Sequence, residues 1–250
     1  MSFKPLHDEL DKWSESGRNA ELWWRDDDAQ KSGPMLQRLL DISEQHAAPL
    51  ALASIPDGVQ ADLAECLLDR DLVCILQHGF SHRNYAPETE RKMELGWHRP
   101  DEQIYAQIVS GLKNLRDLFA EQFVPVMVPP WNRIDPRVVE GLKVAGLNGL
   151  STLGPRTDEF PLVGLKQVNV HVDIINWKQG RCFAGEDACV EQIIRHLSAK
   201  REGRADVGEP TGIMSHHLVH DAGCWAFLDA LFRVLQGRPE VRVLSAKEIF

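Results

Sequence analysis

Short apolar or β-branched runs alternate along the chain with longer segments of helical periodicity. The predicted strands are ELWWR, PLALASI, LVCILQ, FVPVMV, LNGLST, KQVNVHVDII, TGIMS and VRVLS. The predicted helices cover roughly residues 34–46, 59–70, 101–120, 135–146, 186–201 and 223–236. Strands that are apolar throughout and are separated by helices are typical of a parallel sheet covered on both faces. The pattern therefore predicts an α/β fold.

The number of strands narrows this prediction. Seven or eight mostly parallel strands in 250 residues indicate a distorted (β/α) barrel, similar to a TIM barrel. A doubly wound open sheet is the structural alternative. Neither a linker-like stretch nor an internal repeat interrupts the pattern, so residues 1–250 are predicted to form a single domain.

Five of the strands are followed by polar or aromatic side chains. These groups are Asp26, Asp27 and Asp28 after ELWWR, His78 after LVCILQ, PPWNR after FVPVMV, Asn176 and Trp177 after VHVDII, and His216 and His217 after TGIMS. In barrel enzymes the active site lies at the C-terminal ends of the strands. This placement favours the barrel and predicts a site at that edge.

The three consecutive carboxylates and the histidine pair are candidates for metal chemistry. Adjacent carboxylates raise one another's pKa unless a cation or hydrogen-bond donors offset them, so a positive group is expected nearby. An acidic turn that caps the next helix is the alternative. His78 and His82 are spaced so that both imidazoles can reach one ion, and Gly79 lets the chain turn between them. Surface histidines would explain this pair alone, but the neighbouring aspartates favour a metal site.

Two further segments carry candidate groups. In VPPWNR, tandem proline stiffens the turn that holds Trp131 and Arg133, which fits either a pocket wall or a rigid loop with a packed tryptophan. SHHLVHD contains three histidines, and histidine is the side chain suited to general acid catalysis near neutral pH. For His217 and His220, a metal-binding or structural hydrogen-bonding role remains open.

The amino-acid composition disfavours some classes of binding partner. Thirty-seven acidic against 28 basic residues give a net charge of −9, which disfavours nucleic acid and anionic membrane surfaces. The five cysteines are odd in number and lack CxxC spacing, so reduced thiols are expected. The N-terminus has no secretory pattern and no long apolar window occurs, so a cytoplasmic location is expected. A homo-oligomer remains open.

The order of these motifs resembles the polysaccharide deacetylase superfamily, which includes chitin deacetylases and peptidoglycan N-acetylglucosamine deacetylases. The matching segments, in family order, are Arg25 to Asp27, His78 to His82, Pro130 with Trp131, Asp173 to Trp177, and Ile213 to His216. Each is a weak signal alone, but the ordered set is specific and spans roughly residues 22–221.

The resemblance implies a metal-dependent hydrolase that removes an acetyl group from an N-acetylated sugar or a related small amide. It implies a divalent metal, zinc first, with cobalt, nickel or iron as alternatives. The implied metal ligands are Asp27, His78 and His82, and the implied catalytic groups are Asp26 as base, His216 as acid and Arg133. The implied substrate-binding residues are Trp131, Pro130, Trp177, Asp173 and His217.

The sequence departs from the family pattern at two positions. Val128 stands where the family usually has an arginine that orients the base, and we expect Arg133 or Arg25 to replace it. If Arg133 does so, Arg133→Ala should reduce turnover with the metal retained. Asn176 replaces the second aspartate of the fourth motif. The choice between His216 and His217 as the acid remains open.

The same candidate residues would also suit functions other than polysaccharide deacetylation. Because cell-wall glycans lie outside the membrane, the lack of a secretory pattern favours a small N-acylated substrate over a polymer. A metal-dependent amidohydrolase acting on a non-sugar amide is one alternative. A non-catalytic carbohydrate-binding protein, with Trp131 and Trp177 stacked on a sugar, is the other.

Overall fold

The computed structural model describes residues 3–250. Its strands are β1 (Ala20–Ala29), β2 (Leu50–Ser54), β3 (Val73–His78), β4 (Phe123–Val128), β5 (Gly149–Leu150), β6 (Lys166–Gln167), β7 (Val172–Asp173), β8 (Ile175–Asn176), β9 (Cys182–Phe183), β10 (Thr211–Ser215) and β11 (Val241–Leu244). Its helices are α1 (Lys4–Glu15), α2 (Pro34–Gln45), α3 (Ala61–Leu67), α4 (Asp101–Phe119), α5 (Pro136–Leu142), α6 (Glu186–Arg201), α7 (Ala222–Gln236) and α8 (Ala246–Ile249).

The main sheet is parallel and has the order β6-β5-β4-β3-β2-β1-β10-β7, with β11 beside the first half of β1. The two ends of this order, β6 and β7, belong to one segment, residues 166–173. Gln167 pairs with Leu150 of β5, and Val172 pairs with Ile213 of β10. The sheet therefore curls into a distorted half-barrel. This confirms the predicted barrel-like class over the open doubly wound sheet.

The alternation of side chains along β1 separates the barrel interior from the outer core. Trp23 belongs to a cluster built mainly from strand residues, which fills the interior. Trp24 belongs to the larger cluster that also contains the apolar stripes of the helices. Because successive side chains of a strand point to opposite faces, Arg25 and Asp27 follow Trp23 inward, whereas Asp26 follows Trp24 outward.

The predicted strands and helices are present, with three differences. The predicted strand KQVNVHVDII is divided among β6, β7 and β8, and β8 forms a small antiparallel pair with β9. The prediction missed α1, whose buried residues Leu6, Leu10 and Trp13 follow helical spacing. It also missed the short helix α8. Among the residues described, none of the helices has the length and apolar character needed to cross a membrane.

The backbone of β10 lies very close to a buried hydrogen bond in the barrel interior. A Cβ added to Gly212 of β10 would lie 2.5 Å from Trp23 Nε1 and 2.6 Å from the Asn169 carbonyl oxygen. These are the two atoms that form the buried hydrogen bond, 3.0 Å long, between Trp23 and Asn169. Glycine at position 212 is therefore a packing requirement.

We expect Gly212→Ala to lower the free energy of unfolding by about 1–3 kcal/mol, the usual cost of overpacking a filled core. Chemical denaturation measures this change. Gly33→Ala is the matched control, because a Cβ at Gly33 meets no atom within 4 Å. Equal stability of the two variants would contradict the packing argument.

Candidate functional site

Three potential metal ligands converge where β1 and β3 end. Atoms of Asp28, His78 and His82 lie within 4.8 Å of one another. Asp28 Oδ1 is 3.2 Å from His78 Nε2 and 3.4 Å from His82 Nε2. Metal–ligand bonds of about 2.0–2.2 Å at tetrahedral or octahedral angles separate neighbouring ligand atoms by roughly 3.0–3.5 Å. The spacing therefore fits one divalent ion.

The last residue of β3 is oriented by the neighbouring strand. His78 Nδ1 lies 2.9 Å from the carbonyl oxygen of Val128, its register partner in β4. A carbonyl can only accept, so Nδ1 carries a proton, and Nε2, which lies beside Asp28 Oδ1, is the nitrogen left to bind a metal ion. A ligand histidine fixed by a hydrogen bond from its other nitrogen is usual in metal sites.

The backbone of β1 is irregular at Asp28. The pairing of β1 with β2 shifts register between Asp27 and Ala29, and Asp28 has a φ of 76°. This bulge turns the Asp28 side chain toward the two histidines. Burial raises the pKa of Asp28, but interaction with His78, followed by the charges of His216 and His82, outweighs burial and holds that pKa below its ordinary value. Within residues 3–250, buried Asp28 Oδ1 has no hydrogen-bond partner, which suits a cation ligand.

Asp27 was predicted to complete the ligand set, and the structure corrects this by one residue. Asp27 points into the barrel interior and accepts two hydrogen bonds from Arg25, from Nε to Oδ1 at 2.8 Å and from Nη2 to Oδ2 at 3.0 Å. Residues two apart on a strand share a face, so this pair follows from the regular part of β1. The bulge places Asp28, rather than Asp27, beside His78 and His82.

Arg25 supplies the positive group that the aspartate run required. Its side chain is fully buried, and it also donates to Ser151 Oγ at 2.7 Å, to the Ser151 carbonyl oxygen at 3.2 Å and to Asn132 Oδ1 at 2.9 Å. The structure therefore favours Arg25 over Arg133 as the replacement for the family arginine. Arg133 is partly exposed and donates to the Lys92 carbonyl oxygen at 2.9 Å, so it does not orient Asp27.

Asp26 lies on the outer face of β1, which contradicts its predicted role as base. Its Oδ2 accepts from Ser215 Oγ at 2.6 Å and from the backbone N–H of His217 at 2.9 Å, and its Oδ1 lies 2.5 Å from His217 Nδ1. Asp26 is 0% exposed. Both of its oxygens are occupied by protein groups, so it cannot take a proton from a solvent molecule in the site.

His217 was predicted to bind substrate, and the structure places it elsewhere. It is buried and paired with Asp26. Burial lowers the pKa of His217, but the Asp26 charge raises it above its ordinary value overall. Burial likewise raises the pKa of Asp26, and the His217 charge lowers it overall. The two form a buried ion pair behind the site, which leaves His216 as the candidate acid.

His216 faces the site from the end of β10. Its Nε2 is 3.9 Å from Asp27 Oδ2, and its side chain is 11% exposed. The Trp177 ring meets the imidazole edge to face with centroids 4.7 Å apart. Trp177 Nε1 donates to Asp173 Oδ2 at 2.8 Å, and burial raises the pKa of Asp173. The structure therefore brings together three predicted site residues, which are His216, Trp177 and Asp173.

Pro130 and Trp131 form the opposite side of the site. The Trp131 ring lies 4.5 Å from the His82 ring, centroid to centroid. Trp131 and Asn132 both have left-handed backbones, with φ of 56° and 55°. Consecutive non-glycine residues in this region are strained, and such strain occurs where surrounding contacts fix a functional loop. Pro130 packs against Gly79, where an added Cβ would come within 2.6 Å of its ring.

Sequence reasoning missed several supporting residues. Ser151 follows a short strand and resembles no motif. Asn132 lies inside VPPWNR but was not assigned. The sequence does not decide the role of His220, whose Nε2 accepts from the backbone N–H of His216 at 3.3 Å. Glu94 comes from an irregular segment between β3 and α4. Ser151 and Asn132 meet Arg25 across more than 100 residues of sequence, and the contacts of Glu94 and His220 depend on the local conformation of loops, so only the three-dimensional structure reveals them.

A second group of possible ligands, His171, His196 and Glu209, lies away from this site. Its two rings stack in near-parallel planes, with centroids 3.4 Å apart and 16° between the planes, so their in-plane lone pairs do not converge. His171 Nδ1 accepts from the backbone N–H of Gly212 at 2.9 Å, so its proton is on Nε2, 3.2 Å from Glu209. This group is a buried polar network with poor metal geometry.

Comparisons with known proteins find similarity at the level of structure. No protein-family model matches the sequence, and no curated protein matches it. A peptidoglycan N-acetylglucosamine deacetylase superposes with a TM-score of 0.60 and 16% identity, covering 96% of this chain and 95% of that chain. A family 4 acetyl xylan esterase from Clostridium thermocellum, in complex with a cobalt ion, gives a TM-score of 0.57 and 14% identity, covering 92% and 90%.

A CE4 family pseudoenzyme from Bacillus anthracis gives a TM-score of 0.61 and 14% identity, covering 92% of this chain and 65% of that chain. Enzymes and a pseudoenzyme thus share this architecture, so the architecture alone does not decide activity. The predicted resemblance is confirmed at the level of the fold: the chain has the polysaccharide deacetylase fold of the family 4 carbohydrate esterases.

Proposed function

We propose that this protein is a metal-dependent deacetylase that hydrolyses the acetamide of an N-acetylated sugar or a related small amide. One observation carries the proposal: a carboxylate held by a buried arginine and a solvent-reaching histidine face each other beside a metal-type ligand set. Asp27 and His216 are 3.9 Å apart at their nearest atoms, and Asp28 follows Asp27 directly in β1. A base, an acid and a metal position in one site match what amide hydrolysis requires.

Asp28, His78 and His82 would hold the metal. A divalent ion bound there would polarise the acyl carbonyl and lower the pKa of a bound water. Two neutral imidazoles and one carboxylate suit zinc first, with cobalt, nickel and iron(II) as alternatives. The cobalt ion in the acetyl xylan esterase of the same fold supports a divalent metal.

Asp27 is the proposed base. Arg25 binds both of its oxygens and thereby fixes the plane of the carboxylate, so the lone pairs left free point in a defined direction. In that position Asp27 accepts the proton of the attacking water. Arg25 is itself held by Ser151 and Asn132, so the orientation of the base does not depend on a mobile side chain.

His216 is the proposed acid. The amine that leaves an amide is too basic to depart as an anion and must receive a proton as the C–N bond breaks. His216 donates that proton, and the products are acetate and the free amine. Its backbone is fixed by His220, and its ring packs against Trp177. Asp173 in turn holds Trp177 through the indole N–H.

The two tryptophans support a sugar substrate. Trp131 lies against the metal ligand His82, and Trp177 against the acid His216, so they approach the site from different sides. Trp177 is 43% exposed, which leaves ring surface for the apolar face of a sugar. A non-sugar amide remains the second candidate, because the same metal position, base and acid would serve it. A binding-only role is disfavoured by the retained base and acid.

We expect Asp28→Asn and His82→Ala to bind the metal much more weakly than the wild type, with a residual affinity that can still be measured at high zinc, and Asp27→Asn to bind it normally, because Asp28 and not Asp27 lies with the two histidines. Metal content after purification without chelator, followed by equilibrium dialysis against zinc, measures this. Glu88→Gln, at an exposed carboxylate, is the control. Metal loss in Asp27→Asn together with retention in Asp28→Asn would overturn the ligand assignment.

We expect Asp27→Asn and His216→Asn each to lower kcat for acetate release by about 10²–10⁴-fold with the metal retained, the range of a general base or acid. The assay uses a panel of N-acetylated sugars and non-sugar acetamides with added zinc or cobalt. Release from the non-sugar compounds alone would select the second candidate. Wild-type protein that binds metal but releases no acetate from any compound would refute deacetylation.

Arg25→Lys should lower turnover by about 10–100-fold, because lysine keeps the charge but cannot bind both Asp27 oxygens in one plane. Arg133→Ala should stay near the wild-type rate, because Arg133 bonds only a backbone carbonyl in a partly exposed loop. Steady-state kinetics with equal metal loading compares the two. A larger loss in Arg133→Ala than in Arg25→Lys would restore the assignment expected from the sequence.

A further inference from the structure

The Glu94 carboxylate is buried among backbone N–H groups at the metal-binding loop. Its side chain lies in an irregular segment and is 0% exposed. Oε1 accepts from the Ser81 backbone N–H at 2.7 Å and from Ser81 Oγ at 3.0 Å. Oε2 accepts from the backbone N–H groups of Phe80 at 3.2 Å and His82 at 3.3 Å. Three successive amides and one hydroxyl therefore converge on one carboxylate.

A buried carboxylate destabilises a fold unless donors replace its hydration shell. The loop needs an equivalent partner, because its amides lie outside helix and strand and would otherwise be unpaired. Gly79 and His82, which bracket the loop, both have left-handed backbones with φ of 55° and 54°. Glu94 satisfies the amides in this bent conformation. A Cβ on Gly79 would lie 2.2 Å from Glu94 Oε2, so the fit is close.

The two histidines of the ligand set are therefore held in different ways. His78 belongs to β3 and is oriented through Val128 of β4. His82 lies four residues past β3, in a backbone conformation that non-glycine residues seldom adopt. The contacts that fix its main chain run to Glu94. His82 Nε2 can meet Asp28 Oδ1 at 3.4 Å only while that loop keeps its bend.

The segment that carries Glu94 is itself attached to the loop after β4. The Leu95 carbonyl oxygen accepts from the Asp135 backbone N–H at 2.8 Å, and Leu95 forms a parallel bridge with Ile134. Arg133 donates to the Lys92 carbonyl oxygen at 2.9 Å. The loop that places Trp131 against His82 thus also supports Glu94 from the other side.

We propose that Glu94 is a positioning residue that sets the metal affinity of the site by holding His82 in its ligand conformation. This inference rests on the proposed metal centre. Glu94 is not one of the three clustered ligand residues, and its hydrogen bond to them runs to the His82 backbone N–H, so a positioning effect depends on the presence of the His82 side chain. That dependence distinguishes positioning from a general contribution to stability.

The test is a double-mutant cycle on zinc affinity, measured by competition with a chromophoric chelator. Glu94→Gln keeps the shape of the side chain but presents an NH₂ group to the backbone N–H donors. It should weaken zinc binding by about 10–100-fold and change the visible spectrum of the Co²⁺-loaded protein. In the His82→Ala background the same substitution should alter affinity by less than about twofold. Glu88→Gln, on the same segment but exposed, should bind like the wild type.

The outcomes separate this inference from the proposed function. Wild-type protein that binds no zinc overturns both. Zinc binding that is unchanged by Glu94→Gln, or lowered equally with and without His82, overturns the positioning role alone. Should circular dichroism show that Glu94→Gln does not fold, Glu94→Asp replaces it, because it keeps the charge but is one methylene shorter. Its affinity loss should be smaller and should again vanish in the His82→Ala background.

Discussion

Three adjacent carboxylates at the end of one strand can remain ionised together only if each has its own compensating group, and the architecture of the site follows from this constraint. The strand alternation sends Asp26 to the outer face, where His217 and Ser215 bind it, and Asp27 to the inner face, where Arg25 binds it. A bulge then directs Asp28 to the histidine pair. Like charges that are consecutive in sequence thereby acquire three separate environments and three separate roles.

The groups proposed for chemistry are held mainly through the backbones of the loops that carry them. The loop with His82 bonds to Glu94, and the turn with His216 bonds to His220 and, through the next residue, to Asp26. His78 and Asp27 are instead fixed on regular strands, His78 through Val128 of β4 and Asp27 through Arg25 of β1. Each holding group lies outside the immediate set of ligand, base and acid. Such support holds the reactive atoms close to the geometry that the reaction requires, and it leaves free the space that a substrate needs.

The loop after β4 links these parts. Its residues Trp131 and Asn132 have strained backbones, and they contact different parts of the site. Trp131 packs against His82, the proposed metal ligand, and Asn132 accepts a hydrogen bond from Arg25, which binds Asp27. Enzymes and a pseudoenzyme share the overall fold at low identity. It is therefore contacts of this kind, rather than the barrel, that bear on whether the chain is an active hydrolase.

The sequence by itself determined the barrel-like class, the order of strands and helices, the histidine pair and the edge of the sheet where the site lies, because these follow from hydrophobic periodicity and local spacing. It could not decide among Asp26, Asp27 and Asp28, since a bulge against β2 takes Asp28 off the regular alternation that Asp26 and Asp27 follow. Nor could it separate Arg25 from Arg133, or reveal Glu94 and Ser151. Arg25 and Ser151 meet across 126 residues of sequence, and the contacts of Glu94 depend on the bent backbone of the loop that carries His82. Tertiary structure decided the roles of these residues, since the register of strand pairing and the hydrogen bonds between separate segments form only when the sheet curls and its loops pack against one another.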